Sequence, residues 1–219
     1  MKIIKVLFSV LFFLVGLSAF AQNTEVDNQI HTLFSNSSRS YGGYGGITAR
    51  YSELGSAPGA VVGFRGCMIA GHSIAVGFGG NGIFSNFSYD AKLGKDALLA
   101  GGYGGLYIEQ VILPKMPVHI AIPVMIGVGG ISYSLNNNDQ NWRHNNYTES
   151  NIIDSKAFFI VEPGVELEFN VVKYFRLAVG AYYRFTSDVN LVYDDNTPIE
   201  KPGFLRGLST GVTLKFGKF

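Results

Sequence analysis

The chain has 219 residues, with 17 Lys and Arg against 16 Asp and Glu, 28 glycines, 14% aromatic residues and one cysteine. That charge balance offers no basic face to a nucleic acid, and the glycine content argues against a helical protein. A lone Cys67 allows no internal disulfide, so the fold is held by other means.

At the N-terminus Lys2 and Lys5 precede an apolar run of 12 residues, Val6 to Leu17, followed by Ala19-Phe20-Ala21. This is the charged, apolar and small-x-small order of a secretory signal peptide. The run is shorter than the roughly 20 residues of a membrane-spanning helix. With no cysteine near the cleavage position, a lipid-anchored form is not expected. Residues 1–21 are therefore read as a cleaved signal peptide and 22–42 as a polar periplasmic arm. Without Lys2 and Lys5, 15 basic residues face 16 acidic ones.

From residue 43 the chain alternates. Between Ala157 and Phe169 one face reads Ala157, Phe159, Val161, Pro163, Val165, Leu167 and Phe169, and the other carries Glu162, Glu166 and Glu168. Phe175 to Phe185 repeats the pattern, with Arg176 and Arg184 on the polar face. A period of two marks a two-faced strand. Runs this long exceed the usual soluble strand and match the 9–11 or so residues of a tilted membrane strand. The pattern predicts eight strands near 43–54, 58–69, 73–84, 98–111, 118–134, 156–169, 174–186 and 203–219.

The connections predict an orientation. Short turns fall at Gly71-His72, Leu113–Pro117 and Asn170–Lys173, and longer polar segments at 85–97, 135–155 and 187–202. The short link at Gly55–Ala57 departs from the trend. Turns at one end and loops at the other suit an outer-membrane barrel, with the loops outside. A soluble barrel with apolar side chains inside also alternates. The uninterrupted face Val118, Ile120, Ile122, Val124, Ile126, Val128 favours the membrane form, as does a Gly-rich, charged opposite face. The expected fold is all-β, an eight-stranded antiparallel up-and-down transmembrane barrel over 43–219.

The Tyr-Gly-Gly units at Tyr41, Tyr44 and Tyr103, the segment Val172 to Leu177 and the closing Leu214 to Phe219 resemble the small outer-membrane β-barrel proteins related to the OmpA membrane domain and OmpX. The resemblance implies outer-membrane localisation and insertion by the outer-membrane assembly machinery. It also implies that Phe219 belongs to the assembly signal. Phe219 is one residue out of register with Leu208, Val212, Leu214 and Phe216, so either Gly217 forms a bulge or Phe219 lies beyond the ladder. The family's peptidoglycan-binding domain does not follow, so cell-wall anchoring is not expected.

With the apolar face outward, Arg50, Arg65, Glu109, His119, Glu162, Glu166, Glu168, Arg176, Arg184 and Lys215 point inward. Five cations meet four carboxylates in a lumen that eight strands leave only wide enough for side chains. Pairing between neighbouring strands, Glu162, Glu166 and Glu168 against Arg176 and Arg184, is the expected arrangement. The primary reading is a structural charge plug, and the alternative is a narrow ion or small-solute conduit.

Other motifs fail on context. Gly77 to Gly82 spells G-x-G-x-x-G inside a strand with no following helix, so it presents no phosphate site. Its glycines instead leave room for Tyr and Arg side chains from neighbouring strands. His31, His72, His119 and His144 lack metal-ligand spacing. No catalytic, cofactor or metal site is expected. A lipid- or peptide-directed barrel enzyme is the remaining alternative, though no nucleophile and base are spaced to converge. The primary function is a non-enzymatic, monomeric structural or surface-interaction protein. Its expected partners are outer-membrane lipid and an external protein or surface ligand met by the loops, with Trp142, Arg143, His144 and Tyr147 as the contact residues.

Overall fold

The computed structural model describes residues 41–55, 57–135 and 152–219. In chain order the strands are β1 (Tyr41–Leu54), β2 (Ala57–Ala70), β3 (Ile74–Ser85), β4 (Ser88–Asp90), β5 (Lys95–Ile112), β6 (Val118–Leu135), β7 (Ile152–Val172), β8 (Phe175–Thr186) and β9 (Gly207–Lys218). Every strand pairs antiparallel with its neighbours. The order is β3-β2-β1-β9-β8-β7-β6-β5-β4, and a β3–β5 ladder from Ile74↔Gln110 to Phe84↔Ala100 closes the ring. Eight strands thus form a closed up-and-down barrel, and the three-residue β4 is an added strip beside β5. The expected signal peptide, most of the expected arm, and Trp142, Arg143, His144 and Tyr147 lie outside the described residues.

The alternation read from the sequence decides which side faces where. Phe78 and Phe159 on the outer wall are each 72% exposed, whereas Glu166, Glu168 and Lys215 inside are at 0%. Along β9, Leu208, Val212, Leu214 and Phe216 point out while Ser209, Thr213 and Lys215 are buried. A wall that is apolar outside and charged inside inverts the soluble barrel and matches a lipid-facing band. Among the described residues no helix is long and apolar enough to cross a membrane.

The two ends differ as expected, with particular corrections. At the turn end, Gly71 and His72 have φ of +60° and +62° at the centre of the turn from Ala70 to Ser73, the positive pair that suits a tight turn between twisted strands. At the opposite, loop end, the polar segment expected at 85–97 is partly sheet, because Ser88–Asp90 pairs with Lys95–Ala97. The last strand begins at Gly207 rather than 203. Residues 203–206 instead form a turn whose Phe204 and Leu205 are buried. β1 begins at Tyr41, inside the expected arm.

Strand lengths are unequal. β5, β6 and β7 have 18, 18 and 21 residues, against 12 to 14 for β1, β2, β3, β8 and β9. The surplus lies at the loop end: β8 stops at Thr186 opposite Ile160, while β7 extends back to Ile152 beside β6. One side of the barrel is therefore taller, and its upper sheet stands clear of the apolar band.

Placing a charge on the outer wall tests the assignment of faces. Val179→Arg on β8 is expected to destabilise the vesicle-embedded barrel by about 2–4 kcal/mol if it sits near the bilayer midplane. Urea unfolding in vesicles reads this out, and an unchanged midpoint would mean that the faces are inverted.

Candidate functional site

The lumen has two zones. Towards the turn end it is a hydrogen-bonded charge cluster. Lys215 of β9 places its ammonium among three carboxylates, 2.9 Å from Glu109 Oε2, 2.8 Å from Glu166 Oε2 and in contact with Glu168. Arg65 of β2 donates from one nitrogen to both Glu166 oxygens at 2.7 and 2.8 Å, and lies 3.3 Å from Glu109. The Tyr44 hydroxyl donates to Glu109 at 2.9 Å and Tyr182 donates to Glu166. Glu168 also meets His119 Nε2 at 2.7 Å and Arg176 at 3.3 Å. The oxygens of Glu109, Glu166 and Glu168 are close enough together to hold a metal ion. Lys215 supplies the cation there.

Above this cluster Arg50 bonds Glu162 at 2.5 Å, Asn81 at 3.1 Å and Tyr103 at 3.2 Å, and its guanidinium lies over the Tyr182 ring at 4.4 Å. Tyr103 in turn donates to Glu162 at 2.5 Å. Such a set is stable out of water only when almost every charge has several partners. A void of about 10 Å³ bounded by Gly46, Thr48, Arg50, Phe64, Arg65, Tyr107 and Tyr182 has room for about one water.

All ten inward residues named from the sequence are buried, but their pairing differs from the neighbour-strand expectation. Of the β7–β8 pairs only Glu168–Arg176 forms. Glu162 reaches across to β1, and Glu166 reaches to β2 and β9. Register explains this. Glu166 is opposite Gly180, which has no side chain to offer, so it extends over the glycine into the lumen. Arg184 finds no carboxylate among the described residues; it donates to Ser52 Oγ at 2.7 Å and to the carbonyls of Leu205 and Glu53. The G-x-G-x-x-G glycines lie in β3. A Cβ at Gly79 would come within 2.7 Å of the Tyr107 ring and 2.9 Å of Arg65 Cβ, so the absent side chain makes room for both.

Phe219 lies beyond the ladder rather than after a bulge, since β9 keeps its register on β1 through Lys218. Its ring stacks on Tyr44 at 5.7 Å and lies 3.9 Å from the Arg176 guanidinium. It therefore covers the turn-end mouth of the lumen, while Phe216 stacks on Phe175 on the outer wall.

Towards the loop end the lumen is apolar, which the alternation alone does not reveal. Leu54, Val61, Ile83, Leu99, Ile131, Phe158 and Ile160 form one buried cluster with Val189, Leu191, Phe204 and Leu205 of the β8–β9 connection. The expected outward loop at 187–202 is thus a lid seated in the mouth. The available signal was adjacent apolar pairs inside alternating strands, Val61-Val62, Ile83-Phe84, Leu98-Leu99 and Phe158-Phe159, which mark burial on both faces. The lid is tied down at its rim. Asp90 Oδ2 accepts from Tyr133 at 2.7 Å and Tyr193 at 2.6 Å, Asp154 accepts the Val192 amide at 2.9 Å, and Lys92 holds Asp195 and Thr197. Burial pushes the Tyr193 hydroxyl up to about 12, helped by the adjacent Asp90. For Asp90, burial works upward, but the Tyr193 and Tyr133 hydroxyls outweigh it and hold the carboxyl below its ordinary value. Asp154 is lowered in the same way, through the Val192 amide and Lys156.

No protein-family model matches the chain, and no curated protein matches it in sequence. Solved structures are similar in fold. Neisserial surface protein A is 13% identical, with 84% of this chain and 100% of that chain covered at a TM-score of 0.49. A major outer membrane protein from Thermus thermophilus is 12% identical over 80% and 99%, at 0.46. The N-terminal β-barrel domain of Pseudomonas aeruginosa OprF is 8% identical over 80% and 96%, at 0.43. The chain is similar to small outer-membrane β-barrels. That likeness is one of fold.

Two outcomes test the zones separately. Lys215→Met leaves three buried carboxylates short of a cation and is expected to cost about 3–5 kcal/mol, as breaking a buried ion pair does, measured by urea unfolding. The lid should respond to acid. Because the Asp90 and Asp154 carboxyls are depressed in the folded state, their contribution is complete above the ordinary value of about 3.9. It is lost as pH falls through the depressed values. Amide exchange at Val192 should therefore stay slow down to about pH 4 and quicken below it. Quickening that begins near neutrality would assign the latch to other groups.

Proposed function

We propose that this protein is an integral outer-membrane barrel, closed to solutes by its own lumen, that acts non-enzymatically as a surface-interaction module. The lumen reading rests on the Lys215–glutamate cluster and the single-water void between Arg50 and Arg65. The interaction reading rests on the tall side of the barrel. Above Ile160, β7 pairs only with β6 among the described residues. Phe159 exchanges hydrogen bonds with Ser187 on the β8 side. By alternation, the backbone groups of Ser155 and Ala157 point to that same edge, where no strand continues among the described residues. The Ser155 amide is bonded by the Asp154 side chain, and Ile152, Ser155, Lys156 and Ala157 are exposed.

An exposed sheet edge accepts an extended segment of another chain through main-chain hydrogen bonds, with side chains adding selectivity. The expected partner class is therefore an extended peptide segment presented at the cell surface, bound along β7. The apolar band anchors the module in lipid, and the loop end carries the edge outward.

Planar-bilayer recording is expected to show no steady conductance. Peptides selected on vesicle-embedded protein should bind extended and slow amide exchange at Ala157. Ala157→Pro removes one edge donor and leaves the β6 ladder intact, so it should weaken those peptides without changing barrel stability. A steady large conductance would refute the closed lumen. Binding indifferent to Ala157→Pro would refute the edge.

A further inference from the structure

Among the described residues the lumen contains one more cation than carboxylates: Arg50, Arg65, Arg176, Arg184 and Lys215 against Glu109, Glu162, Glu166 and Glu168. The surplus is localised. Arg184 is 1% exposed, makes no ion pair among the described residues, and its Nη1 has no hydrogen-bond partner. Thr186 Oγ1, on the same strand and face, is also buried and unpartnered. A guanidinium taken out of water without a counter-ion is costly, and every other inward arginine has a carboxylate.

The position of Arg184 gives that surplus a meaning. It lies where the charged zone meets the apolar zone, with Nε bonded to the Leu205 carbonyl at 3.0 Å. Above it the wall is apolar apart from Thr186, and what fills that space is the lid, through Val189, Leu191, Phe204 and Leu205. The lid segment between β8 and β9 has little structure of its own, one isolated bridge at Val192↔Pro198 and a few turn bonds. It is retained mainly by rim contacts to Asp90, Lys92 and Asp154. Segments held this way open at lower free energy than the barrel unfolds. Swinging it out uncovers an apolar chamber with a lone guanidinium at its floor. The Lys215 cluster closes the space below, so the chamber is blind and retains what enters.

We propose that the outer half of the lumen is a lidded binding site for a single-chain amphiphile with a carboxylate head, in which Arg184 pairs with the carboxylate and the acyl chain replaces the apolar side chains of the lid. Charge complementarity selects the head, because a neutral chain of equal length leaves Arg184 unpaired. Apolar burial selects the chain, because a short carboxylate is too small to fill the space that the lid side chains vacate.

The test uses full-length protein folded in non-ionic detergent micelles, with carboxyl-labelled dodecanoate as the probe and dodecanol as the neutral control. A bound carboxyl resonance, distinct from that of micellar dodecanoate, is expected to stay ionised to lower pH than the micellar one. Arg184→Met should weaken dodecanoate binding by about tenfold or more, the loss typical of a charged hydrogen bond, and leave dodecanol unaffected; Arg184→Lys should restore part of it. Tyr193→Phe, at the latch and away from the chamber, should tighten dodecanoate binding, because the closed state lowers apparent affinity. If Arg184→Met does not fold, judged by its mobility on an unheated gel, the Tyr193→Phe effect and the preference for dodecanoate over dodecanol decide. Dodecanoate found only in the micelle for both wild type and Tyr193→Phe overturns the site, as does equal binding by folded Arg184→Met.

Discussion

Closure of the β3–β5 ladder is the constraint on which the rest of this structure depends. A sheet left open at that seam would present two rows of unpaired backbone groups, which lipid cannot solvate. With the seam closed by eleven paired positions from Ile74↔Gln110 to Phe84↔Ala100, every strand of the ring has a neighbour on both sides through the apolar band. Closure at eight strands then sets the bore, and the bore sets what inward positions can be. Large side chains must share the lumen with glycines, which is why Gly79 sits where Tyr107 and Arg65 need the space. The charges must also be mutually satisfied, because there is too little room for the water that would otherwise satisfy them.

Much of this was legible in the sequence because a period of two is written residue by residue. The runs Ala157–Phe169 and Phe175–Phe185 declare their faces directly, and their long extent separates them from soluble strands. All eight strand locations and the inward charged residues followed from that pattern. Three things did not follow, each because it depends on geometry beyond the strand. Ion pairs chose partners across the lumen rather than along the ladder: the register sets Glu166 against Gly180, and a period of two says nothing about register between distant strands. Phe219 turned into the lumen mouth, over Arg176 and Tyr44, where parity alone left two alternatives. The 187–202 segment reads as polar because Ser187, Asp188, Asn190, Asp194, Asp195, Asn196, Thr197, Glu200 and Lys201 outnumber its apolar residues. Yet Val189 and Leu191, only two of its positions, settle where it goes.

The unequal strand lengths connect these observations. β5, β6 and β7 rise past the end of β8, so the loop-end mouth is bounded by a high wall on one side and a low rim on the other. The lid leaves the barrel from the low side, at Thr186, and its rim contacts reach the high side, at Asp90, Tyr133 and Asp154. A symmetric rim would have offered no such elevated anchor. The same asymmetry strips β7 of its second neighbour above Ile160, creating the exposed edge. Lid and edge are two consequences of one difference in height.

The division of the lumen into a charged zone and an apolar zone is also a division of rigidity. In the charged zone each group is held by several others: Glu166 alone contacts Arg65, Lys215 and Tyr182. Moving one would strand the rest in a medium of low dielectric. The apolar zone is different in kind, because its contacts are non-directional and one apolar filling can replace another of similar volume with little loss. A lumen plugged by charges throughout would have no exchangeable part, and one filled by apolar side chains throughout would have no fixed floor. Arg184 marks the boundary. It is the inward cation with backbone carbonyls and a serine where the others have carboxylates. The fixed network ends at its guanidinium, and the replaceable packing begins with Leu205 above it.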